Sequence, residues 1–226
     1  MDEITRRKLR AVGAIAVLVG VVCAIFFAFY QIREKKNTTM RLRSFYSDMV
    51  QTLQLSMNLN FTPDIWEFKG GYRNVDVINN YIVQYLKIEK SCVATPDGCF
   101  PETNYKNFTN KLTDVNLSKI PSVVLKNGIS VAFETISKCK KQDSVCAIVY
   151  VDMNSTAEPN TFGKDLFVFM LLNSKQRPFL PYNINVAKEK LSSDPKMGCN
   201  KEAEMPMYCS AYLYDNDWIM DKTYPW

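Results

Sequence analysis

The chain of 226 residues is 47% hydrophobic and 23% charged, with 8 glycines, which excludes a disordered or collagen-like polymer and allows one packed domain plus a short extra element. It contains no histidine, which excludes Ser-His-Asp and Cys-His catalysis and histidine-ligated zinc. The net charge of +5 is local: residues 1–10 carry four basic and two acidic side chains, residues 31–43 five and one, and residues 44–226 hold 19 basic against 20 acidic, so nothing forms the positive stripe that nucleic acid requires.

Residues 1–10 form a basic leader. Ala11–Ile32 then carries no Asp, Glu, Lys or Arg, and a helix of that length spans roughly 33 Å, the thickness of a hydrocarbon core. A buried soluble helix is rarely apolar on every face for six turns, and a signal peptide has a shorter apolar run. A membrane helix over 11–32 is therefore expected. Both flanks are basic, so the positive-inside rule does not orient it. Cysteines do. Cys23 lies in the apolar run, and the other six fall in three close couples, Cys92 and Cys99, Cys139 and Cys146, Cys199 and Cys209. Such couples suggest disulfides and an oxidising compartment. Six cysteines allow 15 pairings; local pairing is the reading adopted. The leader is then cytoplasmic and the domain over 61–226 exported.

Leu42, Phe45, Tyr46, Met49, Leu53 and Met57 recur at spacings of three and four, which predicts an amphipathic continuation of the helix over 33–60. The other reading is two helices with a break near Lys35–Thr39. Val75, Ile78, Ile82, Tyr85 and Leu86 predict a second helix over Val75–Ile88, and a short helix is expected near Tyr105–Leu112. Strands are expected at Ser122–Leu125 and Ile129–Glu134, joined by Lys126-Asn127-Gly128 with its Asn-Gly hairpin signal. Further strands are expected at Val145–Asp152, Asp165–Leu172, Tyr208–Tyr214 and Trp218–Met220. This order describes an α+β fold: a long N-terminal helix packed on an antiparallel sheet.

Asp152, Asn154, Asn160 and Asp165 share the loop between two strands. An oxygen-rich loop suits Ca²⁺, although the spacing is not that of an EF-hand. The same residues equally make turn hydrogen bonds, with Pro159 and Gly163 shaping the backbone. Asp215, Asn216, Asp217 and Asp221 form a second acidic group, read as a solvated turn. Asn-x-Ser/Thr sequences occur at Asn37, Asn60, Asn107, Asn116 and Asn154, acceptor sites in a secreted eukaryotic protein.

The layout resembles the type IV pilins and type II secretion pseudopilins. The resemblance rests on the apolar helix running into MRLRSFYSDMVQTLQLS at 40–56, on VDMNSTAEPNTFGKDLFVF at 151–169, and on the ending Asp217-Trp218-Ile219-Met220 with Tyr224-Pro225-Trp226. It implies a pilin-like fold and a structural, non-enzymatic subunit of a bacterial secretion or pilus apparatus. Such a subunit would sit in the inner membrane by a single pass, its domain on the periplasmic or extracellular side. Its partners would be the lipid bilayer and other pilin-like subunits, with neither nucleic acid nor a small-molecule substrate. Some pseudopilins hold calcium in a C-terminal loop. The resemblance also places a processing site at Gly13 and Ala14, although Ala14 stands where that family carries Phe and Leu18 where it carries Glu. The chain is then either processed as an atypical minor subunit or kept as a fixed anchor. The alternative is a single-pass receptor or adhesin ectodomain that does not polymerise. An envelope enzyme lacks a nucleophile–base pair or catalytic motif.

Overall fold

The computed structural model describes residues 3–68, 74–137 and 139–226, with side chains from Val17 onward. Helix α1 runs unbroken from Glu3 to Asn60, so the expected alternative of a break near Lys35–Thr39 is absent. No Pro or Gly stands there to interrupt the backbone ladder. The helix ends where Phe61 takes a left-handed φ of 60° and Pro63 follows, a common way to stop a helix.

Two compact units divide the chain, one ending at Asn37 and one spanning Thr38–Trp226. In the first, Val17–Ile32 is exposed apart from the half-buried Gln31. Its helix is long and apolar enough to cross a membrane, with a mean hydropathy of 1.7 over a fully exposed window.

In the second unit, Leu42, Phe45, Met49, Leu53 and Met57 are all buried. Their spacing puts them on one side of α1. They pack on an antiparallel sheet of β1 (Ile88–Cys92), β2 (Ser122–Leu125), β3 (Ser130–Thr135), β4 (Val145–Asp152), β5 (Leu166–Leu172) and β6 (Phe179–Pro181), paired in chain order. Alternation along the strands sorts the two faces. Val131, Phe133, Val149, Val151, Phe167, Phe169 and Phe179 join the cluster of α1. Ala132, Tyr150, Leu166 and Val168 face the other way, into a second cluster with Phe100, Tyr105, Ile120, Phe162, Leu191 and Tyr208. The sheet is thus covered on both faces, which explains why β5 is buried at all seven positions and reads as an unbroken apolar run.

Several expected elements differ. The helix expected over Val75–Ile88 is α2 (Val75–Tyr81) and a 3-10 turn (Val83–Tyr85). By Ile88 the chain is already in β1, whose backbone groups bond to β2. Residues 105–112 form no helix: Lys106 bridges to both Leu112 and Thr161. Tyr208–Tyr214 is not a strand but contributes to α4 (Cys209–Asp215). With Cys209, Ser210, Ala211 and Leu213 all buried, that segment has no polar face to reveal its period. Trp218–Met220 is a turn in which Asp217 and Trp218 both take positive φ. Helix α3 (Lys188–Ser193), β1 and β6 are additions that sequence patterning did not mark.

Candidate functional site

The four oxygen-bearing residues of the β4–β5 connection lie at the end of the sheet face turned away from α1. Asp152, the last residue of β4, pairs across the ladder with Ser130 and Leu166. Its side chain therefore shares the face of Tyr150. There Oδ2 accepts the Tyr105 hydroxyl at 2.5 Å and Oδ1 accepts the Asn154 amide N–H at 2.9 Å. Asp165 closes the other end of the loop: Oδ1 accepts from the Thr161 N–H at 2.6 Å and Oδ2 from the Asn160 N–H at 2.7 Å. The Met153 N–H donates to the Asp165 carbonyl at 2.9 Å, so the loop is tied across its base. Strand-like bonds between Lys106 and residues Asn160 and Phe162 hold it to the 105–113 segment.

Gly163 completes the loop with φ +74°, a region that favours glycine. A Cβ there would fall 2.4 Å from the Phe108 ring and 2.7 Å from Cys209 Sγ. The carbonyl of Gly163 accepts the buried Tyr224 hydroxyl at 2.6 Å, so the chain's last residues brace this loop.

The electrostatics are unusual. Asp152 is fully buried and Asp165 nearly so, and neither pairs with a Lys or Arg among the described residues. Burial, then the Asp165 charge, lifts Asp152 well above the usual carboxylate range. Burial pushes Asp165 up to about 6, opposed by its backbone donors. Tyr105 is pushed upward by burial and then by the Asp152 charge. The amide oxygens of Asn154 and Asn160 are buried without a hydrogen-bond partner. Two buried carboxylates and two unpartnered amide oxygens thus lie within one loop, and oxygen donors are the type that a hard cation such as Ca²⁺ takes. Further backbone N–H groups, of Ser155 at Asp152 and of Asp165 and Leu166 at Asp165, also act on these carboxylates. Only two of the four residues are acids, and no group of three His, Cys, Asp or Glu suited to a metal occurs among the described residues.

Tyr105 and Thr161 are the participants that sequence reasoning missed. Tyr105 lies 47 residues from Asp152, and no local pattern marks such a pairing.

The second acidic group is a turn held by its own bonds. Asp215 pairs with Lys188 at 2.7 Å on the surface. Asp221 accepts from Thr223 Oγ1 at 2.7 Å, from its N–H at 2.8 Å and from the Tyr224 N–H at 3.1 Å, and the Thr223 hydroxyl bond leads the effects that hold its carboxyl below the ordinary value.

The Asn-x-Ser/Thr sequences have a local structural explanation in two cases. Asn107 Oδ1 accepts both the N–H and the hydroxyl of Thr109, at 3.0 and 2.8 Å. Asn116 does the same with Ser118, at 3.1 and 2.7 Å. The spacing closes a side-chain turn. Asn107 is buried, with Nδ2 donating to the Ala203 carbonyl, so it offers no acceptor for a glycan. The Asn60 and Asn154 side-chain amides are likewise engaged, by Tyr85 and by the Glu158 carbonyl.

Disulfides join Cys92 to Cys99, Cys139 to Cys146 and Cys199 to Cys209, and Cys23 is a free, exposed thiol. The side chains at Gly13 and Ala14 lie outside the described residues.

A family model described as a family of unknown function (DUF6613) matches residues 28–226. No curated protein and no solved structure matches the chain.

Proposed function

The chain belongs to that family of unknown function, which carries no activity of its own to transfer, and from the architecture we propose that it is a membrane-anchored, pilin-like structural subunit of a bacterial secretion or pilus apparatus. One observation carries this reading. A single unbroken helix supplies an exposed apolar segment before Asn37, and after it the stripe Leu42, Phe45, Met49, Leu53 and Met57 that fills one face of an antiparallel sheet. Apolar helices of several copies, packed side by side, would keep a lipid-like environment while presenting their domains outward. The three disulfides support an exported domain, placed by this reading on the periplasmic or extracellular side of the inner membrane.

Mass spectrometry of the mature N-terminus tests it. Cleavage after Gly13 with a methylated Ala14 is the expected result. An intact Met1 together with a monomeric state in detergent would instead favour the fixed receptor or adhesin anchor. The turn role of Asn107 and Asn116 weighs against a glycoprotein version of that alternative.

A second element of the reading concerns the β4–β5 loop. The unpartnered oxygens of Asn154 and Asn160 favour a bound calcium ion held with Asp152 and Asp165. Bound there, the ion would offset two buried like charges and stiffen the loop. Calcium at millimolar concentration should then raise the Tm of the full chain, magnesium should do so less, and Asn160→Ala should erase the difference. An unchanged Tm with calcium would remove the ion from the reading and leave the loop as a hydrogen-bonded clamp.

A further inference from the structure

We propose that the cleft between the β3–β4 and β5–β6 connections binds a phosphorylated sugar. The cleft lies wholly within the Thr38–Trp226 unit and does not depend on the membrane anchor. Its volume is about 420 Å³, inside the range of roughly 300–1,000 Å³ usual for small-ligand sites. The two connections that form it are laced together. The Asp143 N–H donates to the Asn173 carbonyl and the Asn173 N–H to the Ser144 carbonyl, both at 2.9 Å. Asn173 Nδ2 adds a bond to the Lys141 carbonyl at 3.2 Å, and the Cys139–Cys146 disulfide ties the two ends of the β3–β4 connection. The buried Asn173 and Ser174 line the cleft, as does Thr62, whose hydroxyl makes no capping bond to the turn that follows it.

The lining selects the ligand. Every residue that lines the cleft has a polar side chain. Lys140, Lys175 and Arg177 supply three cations, and Asp64 and Asp143 two carboxylates; all five are exposed, and none forms an ion pair among the described residues. Opposite charges that share a cleft unpaired suit a ligand with both an anionic group and hydroxyl donors. The guanidinium of Arg177 can bond two phosphate oxygens at once, and the two ammonium groups act as point charges. The carboxylates accept sugar hydroxyls in charge-assisted bonds. Other partner classes fit less well. A protein partner would call for an apolar or aromatic anchor at the centre of the contact, and the lining has neither. A nucleic-acid strand would call for aromatic rings to stack its bases, and its phosphates would meet the two carboxylates.

Isothermal titration calorimetry of the full chain in detergent tests the site with three probes: glucose 6-phosphate, inorganic phosphate and glucose. Glucose 6-phosphate should bind about tenfold or more tightly than either of the others, because only it uses cations and carboxylates together. Lys175→Gln/Arg177→Gln should weaken it by about tenfold or more, while Lys87→Gln/Lys126→Gln, elsewhere on the domain, should leave it unchanged. Asp64→Asn/Asp143→Asn should narrow the preference for glucose 6-phosphate over inorganic phosphate by about fivefold, since both probes lose the same repulsion but only the sugar loses charged acceptors. Thermal unfolding of each variant checks that the fold is kept. No heat from glucose 6-phosphate at millimolar concentration, or binding that survives Lys175→Gln/Arg177→Gln, overturns the proposal. Equal affinity for glucose 6-phosphate and inorganic phosphate, or displacement of the sugar phosphate by a lower concentration of a single-stranded DNA oligomer, overturns it as well.

Discussion

Phe45 of α1 meets Phe169 of β5 edge to face, with ring centroids 6.1 Å apart and planes inclined by 60°. Phe179 of β6 stacks on Phe169 at 4.9 Å and also touches Phe45, so helix and two strands share one aromatic junction. Such ring pairs add to the burial of apolar area, which dominates the attachment of the helix to the sheet.

Met49 and Leu53 extend this junction along the helix and are buried to 1% and 0% exposure. Truncating either to Ala should cost about 2–5 kcal/mol. Ser47 and Gln51 are exposed on the opposite side, and Ala there should change stability by about 0.5 kcal/mol or less. Chemical denaturation of the four single variants in the full chain measures this. Equal, small effects at all four positions would mean that the helix is a free stalk.

Gly163 and Gly128 separate backbone strain from steric conflict. Both have positive φ, but a Cβ at Gly128 meets nothing within 4 Å, whereas at Gly163 it would strike Phe108 and Cys209. Gly128→Ala should therefore cost only the conformational penalty, about 1–2 kcal/mol. Gly163→Ala should cost more, and should also weaken the anchoring of Tyr224 to the loop. Equal losses in thermal unfolding of the two variants would show that Phe108 moves aside freely.

Acidity bears on the β4–β5 loop with a definite sign. Folding raises Asp165 from its ordinary 3.8 to about 6 and raises Asp152 as well. The folded chain thus holds protons that the unfolded chain has released. Stability should fall as pH rises from about 4 through about 6, because the charged form is the one folding penalises. Asp152→Asn removes one of the two like charges and should make that slope shallower. Urea denaturation across this window, with a chelator present, tests it; stability that rises with pH would mean that the backbone donors outweigh the cost of burial.

The bond between Cys199 and Cys209 ties α4 to the segment after α3. Replacing both residues by Ser should cost about 2–3 kcal/mol, the chain-entropy value for a loop of this size. Peptide mapping without reductant should recover the three local pairs. Cross-paired peptides would contradict the arrangement described here.

What the sequence by itself determined is local. The stripe from Leu42 to Met57 recurs at helical spacing, β2 and β4 alternate or run apolar between turn signals, Asn127-Gly128 marks a hairpin, and the six cysteines beyond Cys23 fall in three close couples, although their pairing among 15 possibilities is left to the structure. Each of these signals arises from backbone geometry within a few turns or strands, so it survives without knowledge of the fold. The tertiary structure decided the rest. Segment 208–214 is apolar apart from Ser210, so its composition suggested a strand while packing beside β5 made it a helix. Ile88–Cys92 became a strand only because β2 lay beside it to receive its backbone bonds. The loop acids were visible as a cluster, but their burial, their mutual repulsion and the Tyr105 hydroxyl that meets Asp152 come from chain segments far apart in sequence. Desolvation and long-range pairing depend on what surrounds a residue in space, and no local spacing records that.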